Sequence, residues 1–162
     1  MESQHEIIAF VAALPGVLAE TASARTGAPE VAWGDTFFFH DPDGDTPADR
    51  RMPFATIVTK DYDGFDTASD LNRPGVFRLN IAVGRAAFEE LLGEHLSPPA
   101  DVDYTALDTL LPHPVYAAQS WVAILNPGER TAEPARKLLT GAHARAVRAY
   151  QRRTARGRGA QR

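Results

Sequence analysis

One stretch of the chain, residues 77–83, alternates with a period of two. Side chains two residues apart lie on the same face of a β-strand, so this pattern predicts a strand with one apolar face. The apolar positions are Phe77, Leu79, Ile81 and Val83. Arg78 and Asn80 lie on the opposite face, in the middle of the strand rather than at a fraying end. The apolar face requires a core, and the polar pair marks the other face of the sheet as the candidate functional surface.

The order of the remaining elements predicts an α+β fold. A capping-box pattern at Ser3 and Glu6 precedes an N-terminal helix, and a long C-terminal helix is expected to end near Arg153. Strands are expected at 30–40, 53–60, 76–83 and 120–126, short helices at 85–92 and near 103–111, and a loop before residue 29. Turn-rich connections favour a single antiparallel sheet of about four to five strands, with the N-terminal and C-terminal helices packed on one face.

The length and composition are those of one soluble domain, with 162 residues, 44% of them hydrophobic and 23% charged. We expect this domain at residues 1–153, with a rigid Pro-containing spacer at 97–100 and a disordered Arg-rich tail at 154–162. Cysteine is absent, which excludes disulfides, thiol nucleophiles and thiolate metal sites. There is no long apolar run and the first residues are acidic, so we expect a cytoplasmic protein without a membrane span.

Charge is distributed unevenly along the chain. From residue 134 onward there are nine Lys and Arg residues and no Asp or Glu, so the acidic residues all lie in the preceding part. One interpretation is a solvated helix end, whose cations are favoured by the helix dipole. The other is contact between the basic tail and nucleic acid, which the acidic remainder of the chain opposes.

Seven residues are candidates for a functional site on the polar face. They are Asp35, Lys60, Arg78, Asn80, His113, Tyr116 and Trp121. Convergence of these groups would allow the protein to bind a small polar or anionic metabolite, or a protein partner. The alternative is a cofactor-independent enzyme, in which His113 is the acid or base while Arg78 and Asn80 bind an oxyanion or carboxylate.

The same polar face also has a simpler, structural interpretation. In an antiparallel sheet with one solvated face, Arg78 and Asn80 are ordinary exposed residues that pair with Lys60 or Asp61. Loss of either exposed side chain then costs about 1 kcal/mol or less. His113, which precedes a proline, is then a hydrogen-bonded loop residue without a catalytic role.

Sequence motifs identify neither a cofactor nor a metal. The chain lacks the G-x-S-x-G, P-loop and G-x-G-x-x-G patterns. Residues 41–45 resemble a calcium loop but lack its distal Glu, and a turn explains them better. His40 and His143 lie far from any matching ligand pair, so no zinc site is expected.

Short motifs spread over nearly the whole chain, except the Arg-rich tail, resemble a known family. The motifs are Trp33–Asp35, Pro53–Thr56, Thr59–Tyr62, Arg73–Asn80, His113–Tyr116 and Trp121–Gly128. Through them the chain resembles an actinobacterial family known as domain of unknown function 6194, which has no assigned activity. More weakly, the order of elements resembles the YjbR/MmcQ-like proteins. That resemblance implies an α+β fold ending in a Trp-containing strand and a helix, and a DNA-binding role.

Overall fold

The computed structural model describes residues 2–93 and 101–160, which form one six-stranded sheet and three α-helices. The helices are α1 (Gln4–Ala12), α2 (Arg85–Leu92) and α3 (Ala132–Ala160), and the strands are β1 (Val17–Thr21), β2 (Thr36–His40), β3 (Ala55–Val58), β4 (Arg78–Ala82), β5 (Leu110–Pro112) and β6 (Trp121–Leu125). The order across the sheet is β1-β2-β3-β4-β6-β5, and all neighbours are antiparallel. The predicted α+β class is confirmed, with six strands instead of four to five. The spacer at 97–100 and residues 161–162 lie outside the described residues.

The first edge of the sheet differs from the prediction, which placed a loop where β1 lies. β1 pairs with β2 along its whole length, and the Thr21 and Thr36 hydroxyl groups hydrogen-bond at 2.8 Å. β2 starts at Thr36 rather than at residue 30, because Glu30–Ala32 form a 3-10 turn. Gly34 then turns the chain into β2 with a φ of 92°, a conformation that glycine adopts without strain.

The other edge also differs, since the short helix predicted near 103–111 is absent: residues 103–109 form turns and irregular structure, and Leu110 and Leu111 belong to β5. Leu110 and Leu111 pair with β6, opposite Ile124 and Ala123. β5 is only three residues long and ends at Pro112, which has no backbone N–H to donate. Pairing with a buried apolar neighbour therefore overrode the helical spacing of these leucines.

Apolar side chains from the three helices cover one face of the sheet. Leu79 and Ile81 of β4 are completely buried there, as the alternating pattern predicts. The helices contribute Ile7 and Val11 from α1, Phe88 from α2, and Ala135, Leu139 and Ala142 from α3. Each large apolar side chain buried in this way contributes roughly 1.5–3 kcal/mol, so this layer is the main hydrophobic core.

The helix ends follow local sequence signals closely at α1 and less closely at α3. The predicted cap of α1 is present, because the Ser3 hydroxyl accepts the Glu6 backbone N–H at 3.2 Å. α3 continues to Ala160, beyond the predicted end near Arg153. Within the described ranges, no helix combines the length and apolar character needed to cross a membrane.

The second face of the sheet is covered by residues 59–77, called here the covering loop, which connect β3 to β4. Leu71 of this loop is 1% exposed and belongs to a second apolar cluster on that face. The other buried members are Val58, Leu111 and Leu125. Arg78 and Asn80 are consequently 0% and 2% exposed. The interpretation of this face as a solvated surface is therefore wrong, because β4 is buried on both sides.

The N-terminus of α3 is fixed by a carboxylate from a distant segment. Asp108 accepts the Thr131 hydroxyl at 2.5 Å, together with the backbone N–H groups of Gly128, Arg130 and Thr131 at 2.8, 3.1 and 3.0 Å. These amides belong to the first turn of a helix and its approach, where no intrahelical acceptor exists. Burial alone would raise the pKa of Asp108, but these hydrogen bonds lower it to about 2.

We expect Asp108→Ala to lower the free energy of unfolding by about 1–2 kcal/mol at neutral pH, because the N-terminus of α3 loses its acceptor. The folded-state pKa of Asp108 is depressed, so its contribution is complete above about pH 4 and is lost as the pH falls towards 2. Urea unfolding over this range should show the difference between wild type and variant shrinking as the pH falls.

The control for this prediction is Asp63→Ala, which removes an exposed carboxylate that makes no hydrogen bond within the described residues. It should change the free energy of unfolding by less than about 0.5 kcal/mol. A difference between wild type and Asp108→Ala that stays constant down to low pH would contradict the proposed role of the carboxylate.

Candidate functional site

A cavity of about 430 Å³ opens on the second face of the sheet, beside the covering loop. Its floor is polar and is formed by Thr56 on β3, Arg78 and Asn80 on β4, and His113 after β5. Most of its walls are apolar or aromatic and come from segments far apart in the chain. The remaining lining residues are Phe37, Met52, Pro53, Val58, Tyr62, Phe65, Asp66, Tyr116, Gln119 and Trp121.

Five of the seven predicted site residues line this cavity, namely Arg78, Asn80, His113, Tyr116 and Trp121. The strand register explains their convergence. Thr56 lies opposite Asn80 in the β3–β4 ladder, and Trp121 lies opposite Ala82 in the β4–β6 ladder, all on the second face. The His113 backbone N–H donates to the Trp121 carbonyl at 3.1 Å, which brings the segment after β5 to the same place.

The other two predicted residues, Asp35 and Lys60, do not line the cavity. The fully buried Asp35 carboxylate accepts the Thr59 backbone N–H at 2.8 Å, the Thr59 hydroxyl at 2.9 Å and the Tyr62 hydroxyl. Lys60 donates to the Trp33 carbonyl at 2.5 Å and lies 3.4 Å from Asp35. Burial, and next the bond to Asp35, raise the pKa of Tyr62. This cluster supports a wall of the cavity by holding Tyr62.

Arg78 connects the sheet to the covering loop through a buried ion pair. Its two terminal nitrogens donate to the two carboxylate oxygens of Asp66, at 3.1 Å from Nη1 and 2.5 Å from Nη2. Nη1 also donates to the Ser69 hydroxyl at 2.9 Å, and Nε donates to Asn80 Oδ1 at 2.8 Å. A guanidinium group has five N–H bonds, and these contacts use four of them. The fifth, on Nη2, is directed towards His113, whose Nε2 lies 3.4 Å away.

Asn80 orients the Arg78 side chain and presents further donors to the floor. Because arginine has only donors, the Asn80 atom that it contacts must be the amide oxygen. The amide nitrogen then points to Thr56, and it donates to the Thr56 hydroxyl at 3.0 Å. The Thr56 hydroxyl has no acceptor of its own within the described residues, so its proton is also available at the floor.

Two backbone amides determine the tautomer of His113. Its Nδ1 accepts the N–H groups of Val115 and Tyr116, at 3.0 and 2.9 Å. A nitrogen that accepts carries no proton, so the neutral ring carries its proton on Nε2. Burial, and then the Arg78 cation, lower the pKa of His113 to about 3, although the Asp66 carboxylate opposes this. The imidazole is therefore uncharged at neutral pH.

Two N–H donors consequently meet at the bottom of the cavity without bonding to each other. One is the fifth N–H of Arg78 and the other is Nε2–H of His113, on nitrogens 3.4 Å apart. Both side chains are buried, at 0% and 3% exposure, and neither of these N–H groups has a protein acceptor within the described residues. We call these two groups the donor pair. The geometry is suited to a single oxygen atom that accepts from both.

Aromatic rings form the wall nearest the donor pair. The Tyr116 ring centre lies 4.9 Å from that of His113 and 6.5 Å from that of Trp121. Phe65 of the covering loop approaches Tyr116 with ring centres 6.1 Å apart. Met52 and Phe65 are largely exposed and Tyr116 is 40% exposed, and the three form an apolar rim around the opening. The cavity thus combines a donor-rich floor with walls suited to a flat apolar group.

The main functional residues that the sequence did not single out lie in the covering loop. Asp66 supplies the counter-charge of Arg78, and Ser69 supplies a further acceptor. The sequence did contain a partial signal, since a buried cation in mid-strand requires a carboxylate and the loop contains four acids. Which acid turns inward depends on how the loop crosses the sheet.

A second cavity, of about 340 Å³, lies between α3 and the end of the sheet. Arg145, Arg148, Arg152 and Arg153 line it, together with His40 and apolar residues. Arg145 donates to the Ala82 carbonyl at 3.3 Å and packs on Gly84, where a Cβ atom would come within 2.6 Å of the guanidinium carbon. The other three arginines form no ion pair or hydrogen bond with the described residues. We call this second cavity the arginine groove.

The fold and the cavity together define a small α+β protein with a ligand-sized, donor-lined site on its sheet. The chain belongs to a family of unknown function, DUF6194, whose family model matches residues 1–155. It matches no curated protein and no solved structure. The weaker resemblance to the YjbR/MmcQ-like proteins stays a prediction.

We expect the buried ion pair to be strongly coupled. Arg78→Met leaves the Asp66 carboxylate buried without its counter-charge, and Asp66→Leu does the same to Arg78, so each should cost about 3–5 kcal/mol. The double variant removes both charges and should cost clearly less than the sum, as measured by urea unfolding of the four proteins. Arg85→Met, at the exposed Arg85–Glu89 pair, is the control and should cost less than about 1 kcal/mol. Additive losses near 1 kcal/mol would show that the pair is solvated.

Proposed function

We propose that this protein binds a small polar metabolite in the cavity on the second face of its sheet. The observation that supports this most directly is the donor pair, two N–H groups without protein acceptors at the bottom of a mainly apolar cavity of about 430 Å³. Small-molecule sites typically combine apolar walls with a few placed polar groups, which fix the orientation of the ligand. Unsatisfied buried donors are costly, so an acceptor supplied by the ligand would gain binding energy there.

A small molecule suits this face better than a protein partner does. A protein that docks on a sheet needs an accessible surface, and the covering loop occupies much of the second face. The remaining opening is concave, and Arg78, Asn80 and His113 are buried at its bottom. A compact ligand can reach the donor pair, whereas a flat protein surface would meet the exposed lining residues Met52, Phe65, Tyr116 and Gln119.

Binding without catalysis is the better supported form of this proposal. A general acid or base works best with a pKa near the working pH, whereas the pKa of His113 is about 3. Its Nδ1 is already occupied by two backbone amides, so the ring offers a donor and no base. The Asp66 carboxylate is bound by Arg78, and the Tyr62 hydroxyl is bound by Asp35. These contacts leave His113, Asp66 and Tyr62 committed to the structure.

The two tryptophans allow a direct test by nuclear magnetic resonance. Trp121 lines the cavity, whereas the Trp33 indole N–H donates to the Ala28 carbonyl at 2.9 Å, away from it. With ¹⁵N-labelled protein and a library of small polar metabolites, we expect saturable shifts of the Trp121 indole signal and an unchanged Trp33 signal. If no metabolite of the library shifts the Trp121 signal, or if every shift affects both indole signals equally, the proposal is overturned.

A second candidate function is association with nucleic acid through the arginine groove on α3. The observation that favours it is the clustering of Arg148, Arg152 and Arg153, which have no carboxylate partner within the described residues. Unpaired arginines along one helix face provide the sites that phosphate groups bind. The acidic part of the chain opposes a long polyanion, which is why this candidate ranks second.

Fluorescence anisotropy with labelled duplex DNA tests this second candidate. We expect the logarithm of the association constant to fall linearly with the logarithm of the salt concentration. The double variant Arg148→Ala/Arg152→Ala should reduce the magnitude of that slope by roughly two, since each lost phosphate contact lowers it by about one. Arg25→Ala/Arg85→Ala removes two exposed arginines outside the groove and is the matched control. No binding at low salt, or equal effects of both double variants, would exclude the groove as the contact.

A further inference from the structure

We infer that the ligand of this cavity presents an uncharged carbonyl oxygen to the donor pair, so that it belongs to the ketones, amides or lactams rather than to the carboxylates. This inference rests on the proposed small-molecule function and specifies the chemical class of the ligand. It follows from the donor count at the floor, from the charge of the groups around it and from the character of the walls.

The donor count calls for an acceptor with two lone pairs. Arg78 Nη2 and His113 Nε2 are 3.4 Å apart, so an oxygen at an ordinary hydrogen-bond distance of about 2.9 Å from each forms a closed triangle with them. A carbonyl oxygen has two lone pairs in the plane of its substituents and accepts two such bonds. It brings no proton of its own, whereas a hydroxyl group would bring a donor to a floor where Asn80 and Thr56 already present donors.

The charges at the floor favour a neutral oxygen. The ionised side chains that line the cavity are Arg78 and Asp66, and each neutralises the other through two hydrogen bonds. His113 adds no charge, because its Nδ1 accepts two amides and burial disfavours the imidazolium form. A carboxylate would therefore enter a neutral, buried environment without a counter-ion, beside the carboxylate of Asp66. Burial of an unpaired charge is strongly unfavourable.

The walls indicate what the carbonyl group is attached to. Tyr116 and Trp121 stand beside His113 with ring centres 6.5 Å apart, and Phe65 adds a third ring at the opening. Rings at these distances can pack around a flat apolar group by offset or edge-on contact. We therefore expect a carbonyl compound whose body is an aromatic or other planar apolar ring.

Three compounds of nearly the same shape separate the contributions of oxygen and charge. Acetophenone carries a neutral carbonyl group, benzoate carries a carboxylate in its place, and α-methylstyrene replaces the carbonyl oxygen with a CH₂ group. Titrated into ¹⁵N-labelled wild-type protein at neutral pH and followed at the Trp121 indole, acetophenone should bind about tenfold more tightly than either of the other two. Long-range ¹H–¹⁵N spectra of the same sample should show His113 protonated on Nε2 and unprotonated on Nδ1.

A variant that removes one donor and keeps the local fold tests the role of His113. Asn has an amide oxygen near the position of Nδ1, so His113→Asn can still accept the Val115 and Tyr116 amides while it loses Nε2–H. Its preference for acetophenone over α-methylstyrene should fall to about twofold or less. His5→Asn, at an exposed position of α1, is the matched control and should keep the wild-type preference.

The outcomes separate this inference from the proposed function. Benzoate binding as tightly as acetophenone, an unchanged preference in His113→Asn, or a His113 ring protonated on Nδ1 would each overturn the inference, while saturable binding at Trp121 would still support a small-molecule site. If none of the three compounds shifts the Trp121 signal at millimolar concentration, the inference is overturned, while the titration with the library of polar metabolites decides the proposed function. Tighter binding of the ketone that depends on His113 supports both.

Discussion

A guanidinium group with no solvent contact needs its charge neutralised and its donors satisfied inside the protein. Arg78 meets this requirement for its charge and for four of its five N–H groups, since Asn80 lies on its own strand while Asp66 and Ser69 lie on the covering loop. The loop is thereby tied to the middle of the sheet rather than only to its ends. Leu71 of the covering loop packs in the second apolar cluster. The cavity opens where the loop leaves part of this face uncovered.

The floor of the cavity is polar and yet carries almost no net charge. Asp66 cancels Arg78, and the backbone amides of Val115 and Tyr116 fix His113 as a neutral donor. Such a floor interacts with lone pairs more than with ions, and its groups are already positioned before a ligand arrives. Preorganised donors bind an acceptor without the cost of reordering side chains. Under the proposed function, ligand selectivity therefore comes from geometry rather than from electrostatic attraction.

The sequence predicts those features that depend on local pattern and leaves out those that depend on how distant segments meet. Alternation along β4 identified its apolar face, and the positions of Arg78, Asn80 and His113 at one cavity follow from strand pairing that the sequence allowed but did not require. The short edge strands β1 and β5 were missed, because half-buried strands show little periodicity. Asp35 and Lys60 were grouped with the site although they support Tyr62 from outside it. Only the path of the covering loop shows that the polar face is buried and that Asp66 is the partner of Arg78.

The short strand β5 has a consequence for how copies of the molecule meet in solution. An open sheet edge offers unpaired backbone groups on which a strand of another molecule can assemble, and long flat edges are a common origin of aggregation. At this edge the outermost strand is three residues long and ends in a proline, so a docking strand would find a short ladder interrupted where Pro112 lacks an N–H. The brevity of β5 therefore protects the side of the sheet next to the cavity from intermolecular strand addition.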